Sequence, residues 1–510
     1  MSKKETSNSL RLLVKTSIVI FFTVIISKLF SYLYKVVIAR SFGPELYGTY
    51  SIAIIVLGLF ASIAMLGFPE GITRFVSYYR GKKQESKIKH TIRFSLLVLV
   101  LCSIIAGLIL FLSSRVISID LFKNESLIYF LKVLSISLPF SVIFTVIISY
   151  LRAIGKIKSY AMLSSPIQNG LKLGILLALI FFSLGEKSVA LSQTIGMMIL
   201  TLISYLIARK SLISLFRKKD LKGKEKKIIE KELFYYSWPL IFVGLLYGLF
   251  YWTDSLVLGY FLDAKVVGLY NAAVTLVSLF AIAQDLFIQL LLPLLTTKYA
   301  ENKTQVIRDT TKQVMKWVFM INILIFAALI LFPGVIINLL FGADYILAQP
   351  ALRILSFGAL FSGFLGLFLT LLSIKGKTKT ILVDYIIFTI FNFVLDVILV
   401  KTYGISGAAM ATSITWILFM FVVLLQIKKS YGFFPIKRDI LKITAIAGIL
   451  VIIAYIVQDY FVATLPVIIL FGLIFLIIYI LVLFLTKSFD KEDLSILRSI
   501  KDKILNYKKN

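Results

Sequence analysis

The sequence predicts an all-α polytopic membrane protein that crosses the bilayer about fourteen times. Hydrophobic residues make up 59% of its 510 residues and charged residues only 16%. A soluble chain of this length could not bury so much apolar surface. Apolar runs of roughly 20 residues recur along the sequence, which is the helix length needed to cross about 30 Å of hydrocarbon. Short charged or Gly- and Pro-marked breaks separate these runs.

The predicted spans divide the chain into two lobes, a linker, an appendix and a tail. The spans fall at residues 14–38, 47–68, 91–113, 127–150, 160–184, 188–208, 236–261, 266–292, 314–340, 351–374, 380–400, 404–427, 440–459 and 466–486. They predict an N-lobe of six helices at 1–208, a basic cytoplasmic linker at 209–235, a C-lobe of six helices at 236–427, two further helices within 428–486, and a cytoplasmic tail at 487–510.

The formal charge of +30 follows this topology. With the N-terminus inside, 44 of the 55 Lys and Arg residues lie in inner segments or at the inner ends of spans, and six lie in outer loops. Positive residues are retained on the cytoplasmic side, so we expect a multi-pass plasma-membrane protein with both termini in the cytoplasm. Anionic lipid headgroups are the expected partners of the inner charge, nucleic acid is not, and a monomer is expected.

Composition restricts the chemistry that the chain can perform. It has one cysteine, Cys102, and one histidine, His90, which excludes an internal disulfide and a Cys/His zinc site. No phosphate-binding Gly-x-x-x-x-Gly-Lys-Ser/Thr loop is present, so ATP is not expected to drive transport. No organic cofactor is expected.

An internal repeat relates the two six-span sets at an offset of about 220 residues. Between the first and second spans of each half, Gly48 matches Gly268 and Tyr50 matches Tyr270. A second match lies between the fourth and fifth spans of each half, at residues 155–158 and 376–379. An even number of spans separates the matched segments, so both halves keep one orientation. This predicts parallel repeats related by an axis along the membrane normal.

This arrangement resembles the multidrug/oligosaccharidyl-lipid/polysaccharide exporter superfamily, and its polysaccharide-transporter branch most closely. The segments that carry the resemblance are Ala39–Gly48, Gly67–Phe75 and Leu151–Lys156. The resemblance implies two lobes around a central cavity that work by alternating access. It also implies translocation of polyprenyl-(pyro)phosphate-linked oligosaccharides, as in lipid II flippases and O-antigen-type flippases.

Ionisable residues within the predicted spans of the first half are cationic. Lys28 and Lys35 are seven residues apart and share one face of the first span, and Gln168, Asn169 and Lys172 share a face of the fifth. A mid-membrane charge costs at least about 2.5 kcal/mol on insertion scales, so such residues usually face a cavity or a partner. We predict that they bind the anionic part of the substrate. The alternatives are pairing with acidic residues of the second half or, for Lys35, snorkelling to the outer headgroups.

The mid-span ionisable residues of the second half are acidic. They are Asp254, Asp285, Asp384 and Asp396. At about 1.5 Å per residue, Asp254, Asn392, Asp396 and Thr412 all fall at one depth, and four oxygen donors could hold a small hard cation. Asp285 belongs to a polar stripe predicted to line the substrate cavity. The alternative for the first four is an ordinary interhelical hydrogen-bond cluster.

The resemblance gives the same four residues a more specific role. They match by position the sodium site of bacterial lipid II flippases, so it implies a sodium site formed by Asp254, Asn392, Asp396 and Thr412. A proton is the alternative coupling ion, since the same carboxylates could titrate.

Three functional hypotheses follow. The first is a cation-coupled flippase, and the alternative within the same fold is a cation-coupled exporter of drugs or small amphiphiles. The lysines of the first half disfavour cationic substrates, because like charges repel in a low-dielectric cavity. A membrane glycosyltransferase would need catalytic carboxylates on a sizeable outer loop, whereas the longest outer loop offers only Asp120 and Glu125. The chain is therefore not expected to be an enzyme.

Overall fold

The structure is a computed structural model that describes residues 3–437, 439–458 and 465–485. Within these residues nearly the whole chain is helical and no strand is present, which confirms the predicted all-α fold. The tail predicted at 487–510 lies outside the described residues.

The first half of the chain contains eight helices and two π-helical turns. The helices are α1 (Lys3–Ala64), α2 (Phe68–Gly81), α3 (Glu85–Val116), α4 (Ser126–Ser135), α5 (Ser137–Ala153), α6 (Ile157–Met162), α7 (Gln168–Phe181) and α8 (Lys187–Phe216). The π-helical turns, Ile117–Leu121 and Leu163–Ile167, follow α3 and join α6 to α7.

The remaining described helices follow the basic segment. They are α9 (Gly223–Phe261), α10 (Ala264–Val277), α11 (Phe280–Ala300), α12 (Thr304–Leu331), α13 (Pro333–Leu340), α14 (Gln349–Ser362), α15 (Leu365–Ile374), α16 (Thr378–Tyr431), α17 (Asp439–Gln458) and α18 (Leu465–Leu485). The predicted linker is largely helical, because α8 and α9 extend into it and leave only residues 217–222 between them.

The described helices account for the predicted membrane spans in several ways. Eight are long and apolar enough to cross a membrane, or up to ten if each bent pair forms one span. Two of the eight, α1 and α16, each contain two predicted spans and are interrupted at Gly43 and Gly404. Both glycines have positive φ, 77° and 56°, a region in which L side chains are strained. Shorter apolar helices lie at the last two predicted spans, and the count of fourteen stays a prediction.

The outer surface of α3 shows why these helices need a membrane. It exposes a row of large apolar side chains, and Leu112 is 76% exposed. The others in this row are Leu97, Leu101, Ile104, Ile105 and Leu108. A continuous apolar surface of this kind is unfavourable in water and favourable in hydrocarbon. The protein is therefore an integral membrane protein.

The described residues fall into two compact units. The first comprises residues within Met1–Leu276, Leu340–Ala351 and Thr378–Thr415, and the second comprises residues within Val277–Leu339, Leu352–Lys377 and Trp416–Asn510. In the second unit, α12 packs on α17 through Ala327, Leu331 and Ala454, and Phe332 packs edge-on against Phe471 of α18.

The first unit contains a close contact between the matched segments of the repeat. A Cβ placed on Gly48 would overlap the carbonyl oxygen of Ala264, and one placed on Gly268 would overlap the carbonyl oxygen of Pro44. Each glycine also lies against the backbone nitrogen of the other. The reciprocal pairing is typical of segments related by a two-fold axis, as the repeat predicts. We refer to this contact as the glycine crossing.

On the side that the charge pattern places in the cytoplasm, the segment between α8 and α9 is tied to α3. Lys89 Nζ lies 2.9 Å from Asp220 Oδ1 and donates a 2.7 Å hydrogen bond to the carbonyl oxygen of Lys218. Lys218 Nζ lies 2.6 Å from Glu85 Oε2. The hydrogen bond from Lys89 lowers the pKa of Asp220 below its ordinary value. These polar contacts hold the segment that precedes α9 against α3.

Candidate functional site

Three helical stretches of the first unit, one from α9 and two from α16, bring the four predicted cation ligands together. Helix α9 carries Asp254, and α16 carries Asn392 and Asp396 one turn apart. The break at Gly404 separates that stretch of α16 from the stretch that carries Thr412. All four ligand side chains are buried, and Asp396 is fully inaccessible to solvent.

Two hydroxyl groups bind the same oxygen of Asp254. Thr412 Oγ1 donates a 2.6 Å hydrogen bond to Asp254 Oδ2, and the hydroxyl of Tyr270 on α10 donates to that oxygen as well. The Tyr270 hydroxyl also lies 3.3 Å from Thr412 Oγ1. The side chains of Asn392 and Asp396 face the Asp254 carboxylate from α16. The site therefore contains five polar side chains.

The remaining carboxylate oxygens of the site lack hydrogen-bond donors. Asp254 Oδ1 and both oxygens of Asp396 are buried without a hydrogen-bond partner. A buried carboxylate in this condition is costly, and two that face each other repel as well. A bound cation or a shared proton would relieve both costs. The donor set consists of hard oxygens and fits a small cation such as sodium, held by Asp254, Asn392, Asp396 and Thr412.

The first half carries a counterpart of this site at the repeat offset of 220 residues. The matched pairs are Tyr34 with Asp254, Tyr50 with Tyr270, Lys172 with Asn392, Leu176 with Asp396, and Ser192 with Thr412. The Tyr34 hydroxyl lies 3.0 Å from Ser192 Oγ, as Asp254 lies beside Thr412 in the second half. The ring of Tyr34 packs edge-on against Tyr50 at 6.0 Å between centroids. The counterpart thus keeps two of the contacts of the second-half site, those of Tyr34 with Ser192 and with Tyr50, but has no carboxylate at the matched positions.

The cationic residues predicted for substrate binding lie in the same unit. Lys35 Nζ donates a 3.2 Å hydrogen bond to Thr275 Oγ1 on α10 and has no acidic partner within the described residues. Lys172 is half-buried, and the described part of the chain gives it no hydrogen bond or ion pair. For these two lysines, the alternative of pairing with Asp residues is not seen.

The other predicted substrate residues have different surroundings. Asn169 Nδ2 donates to the carbonyl oxygen and the hydroxyl of Ser27, at 3.2 and 2.9 Å, which holds α7 against α1. Gln168 is half-buried on α7, and Lys28 is half-buried on α1. Asp285 is half-buried on α11 and belongs to the second unit. Their roles in substrate binding stay predictions.

Tyr270 was not among the predicted site residues. It is one of 25 tyrosines, and a neutral side chain gives no charge signal in a membrane span. The available signal was its place in the repeat, since it matches Tyr50 and lies 16 residues after Asp254. Thr275, which binds Lys35, carried no comparable sequence signal.

Two known protein families match parts of the chain that carry residues of this site. The profile of the family described as "Polysaccharide biosynthesis protein" matches residues 13–297, more than half of the chain. The chain belongs to the polysaccharide biosynthesis protein family. The MatE family also matches this polysaccharide biosynthesis protein, at residues 239–398, which include Asp254, Asn392 and Asp396.

Curated relatives of this family member include two flippases. Lipid II flippase MurJ of Bacillus subtilis is 22% identical over 455 residues, 79% of this chain and 81% of that protein. The probable low-salt glycan biosynthesis flippase Agl15 of Haloferax volcanii is 26% identical over 36% of this chain and 39% of that protein. An uncharacterized membrane protein of Methanocaldococcus jannaschii is 40% identical over only 81 residues, 16% of each chain.

Solved structures share the fold. A structure of lipid II flippase MurJ in an inward closed conformation matches with a TM-score of 0.69 at 21% identity, covering 91% of this chain and 98% of that one. An inward-facing multidrug resistance MATE transporter of the MOP superfamily matches with a TM-score of 0.66 at 18% identity, covering 80% of this chain and 94% of that one. The fold of this polysaccharide biosynthesis protein is thus shared by flippases and drug exporters.

Proposed function

We propose that the protein is a flippase that moves a polyprenyl-(pyro)phosphate-linked oligosaccharide from the cytoplasmic to the outer leaflet, coupled to a cation. The observation that carries the proposal is the opposite chemistry of the two matched sites within one unit. The first half presents Lys172 without an acidic partner, and the second presents Asp254 and Asp396 without enough donors. Membership of the polysaccharide biosynthesis protein family and the named flippase relatives also support a flippase function.

The charged residues divide the work of transport between the halves. Lys172 and Lys35 would attract and orient the phosphate groups of the substrate, because opposite charges interact strongly where water is scarce. Asp254, Asp396, Asn392 and Thr412 would hold the coupling ion. A bound cation supplies the positive charge that lets both carboxylates remain ionised at once.

The glycine crossing closes the path between α1 and α10 at one end of the membrane span. The crossing lies at the ends of the second and eighth predicted spans, on the side that the charge pattern places outside. Backbones in such close contact leave no passage between α1 and α10. Within the first unit the outer side is therefore closed at this contact, and substrate would enter from the cytoplasmic leaflet.

A cation-coupled exporter of drugs or small amphiphiles is the second candidate, and the MatE match over the acidic half favours it. The two candidates differ in the charge of the preferred substrate. A flippase for pyrophosphate-linked glycans needs the lysines of the first half. An exporter of cationic drugs would work better without them.

Reconstituted transport tests the proposal. Liposomes containing the purified protein receive a fluorescent polyprenyl-pyrophosphate oligosaccharide, and an impermeant quencher reports its movement between leaflets. We expect Lys172→Ala to lower the rate at least about tenfold, while Lys187→Ala, which removes an exposed lysine predicted in an outer loop, leaves it unchanged. A parallel assay uses a cationic dye. Dye transport by the wild type without glycan movement would favour the exporter instead.

A further inference from the structure

Helix α10 is held from two opposite sides. Gly268 and Thr275 are seven residues apart and therefore lie on one face of the helix. Tyr270 is two residues from Gly268, about 200° around the helix axis, and so lies on the other side. The contacts of these three residues follow this division.

The face with Gly268 and Thr275 contacts α1. Gly268 forms the glycine crossing with Pro44 and Gly48. Thr275 Oγ1 lies 3.2 Å from Lys35 Nζ and 3.2 Å from the Tyr47 hydroxyl, both on α1. This face therefore contacts both the glycine crossing and a lysine predicted to bind substrate.

The opposite face contacts the candidate cation site. Tyr270 is buried, and its hydroxyl donates to Asp254 Oδ2 while lying 3.3 Å from Thr412 Oγ1. Asn271, which lies about 60° from Gly268 and between the two faces, donates a 3.0 Å hydrogen bond to Ser255 Oγ on α9. The position of α10 against α9 is thus set by polar contacts at the candidate cation site and immediately beside it.

We infer that Tyr270 is a positioning residue that couples occupancy of the cation site to opening of the glycine crossing. A ligand shifts a conformational equilibrium only if it interacts differently with the two states. The hydrogen bond from Tyr270 provides such a difference. A cation that draws the Asp254 carboxylate toward Asp396 alters the acceptor of the Tyr270 hydroxyl. The change is passed through one rigid helix to Gly268.

Tyr50 is expected to have no such coupling role. Tyr50 is the repeat partner of Tyr270, but it packs against Tyr34, which stands where the second half has Asp254. Its hydroxyl therefore has no carboxylate at the matched position. Tyr50→Phe removes the same atom from the matched place in the first half and serves as the control.

The inference rests on the cation coupling within the proposed function, and a distance measurement tests it separately from transport. Glu45 and Lys265 are exposed, are matched by the repeat, and flank the glycine crossing. Spin labels at Glu45→Cys and Lys265→Cys, in a Cys102→Ser background, report its opening. Distances are recorded in sodium and in potassium at constant ionic strength.

We expect sodium to shift the label distance in the unsubstituted background and in Tyr50→Phe. In Tyr270→Phe we expect the sodium-induced shift to fall at least threefold, although sodium still raises the thermal stability of the variant. A full shift in Tyr270→Phe, or an equal loss in Tyr50→Phe, overturns the inference alone. No sodium response in the background overturns it together with sodium coupling, while glycan movement in liposomes still decides the flippase assignment.

Discussion

The two halves of the protein place similar contacts at matched positions and fill them with different chemistry. In the first half, Tyr34 and Ser192 satisfy each other through a 3.0 Å hydrogen bond between neutral hydroxyl groups. In the second half, Asp254 stands where Tyr34 does, and Asp396 adds a second buried carboxylate. The hydroxyl pair of the first half is complete as it folds, whereas the site of the second half has acceptor oxygens left over.

This difference shows how the two halves of a duplicated fold can take different chemical roles. A neutral pair is a structural contact that needs nothing from outside the protein. Buried carboxylate oxygens without donors require a cation or a proton, so we propose the second half as the place where an ion is exchanged. The first half instead keeps a lysine, Lys172, at the position matched to Asn392, and is suited to an anion.

Neutralising a carboxylate of the second half should remove most of the difference between the two halves. We expect Asp396→Asn to abolish the sodium-specific rise in thermal stability and to slow glycan movement at least about tenfold. At a sodium concentration ten times the wild-type dissociation constant, the lost stabilisation is about 1.4 kcal/mol. Thermal unfolding in sodium and in potassium measures it.

The control for this change is Tyr34→Phe in the matched site, which should keep the full sodium response. Equal stabilisation of Asp396→Asn by sodium would show that the ion binds elsewhere. A stabilisation that depends on pH instead, and disappears in Asp396→Asn, would identify the proton as the ion.

Forcing the halves apart should have the next largest effect. In Gly48→Ala the new Cβ overlaps backbone atoms of Ala264 and Gly268, which cannot move aside as a side chain can. Overpacking typically costs about 1–3 kcal/mol, so the equilibrium should move toward an open crossing. Spin labels at positions 45 and 265 should then be several ångströms further apart even without sodium.

The matched control for that experiment is Gly174→Ala on α7, where an added Cβ meets nothing within 4 Å. It should leave the label distance unchanged. An unaltered distance in Gly48→Ala would show that the crossing is not the element that opens.

Removing one hydroxyl from each half should give the smallest effects. Thr412→Ala deletes a predicted cation ligand and a donor to Asp254, so we expect sodium affinity to fall several-fold. Ser192→Ala deletes its repeat partner, and the Tyr34 hydroxyl can still use the carbonyl oxygen of Val189 at 3.5 Å. Sodium titrations of the two variants should therefore diverge. Equal losses would contradict the proposed division between the halves.

Much of the fold could be predicted from the sequence, because hydrophobic runs and a repeat are long-range patterns. The glycines of the crossing were visible as a match between Gly48 and Gly268, and the structure shows them in contact. Asp254 and Asp396 stood out as costly charges in apolar spans, and the structure brings them together, although their role as ligands stays a prediction.

Other features depend on packing and left little trace in the sequence. Tyr270 gains its importance from a neighbour 16 residues away and from Thr412 on another helix. Lys316 lies near the start of a predicted span, where a lysine is expected to reach the aqueous side. It is fully buried instead, because α12 begins at Thr304 and its third and fourth turns are already enclosed.

The π-helical turn at Leu163–Ile167 has a consequence for register. Before it, residues 155–158 match 376–379 at an offset of 221, whereas after it Lys172 matches Asn392 at 220. Between these two matches the first half contains one residue more than the second half. A π-helical turn accommodates one extra residue, so this turn is where the additional residue is inserted. Each residue advances a helix by about 100°, so without this turn Lys172 would point about a quarter-turn away from the side that Asn392 occupies in its own half. A single inserted residue thus determines that Lys172 on α7 and Asn392 on α16 lie on equivalent sides of their duplicated helices.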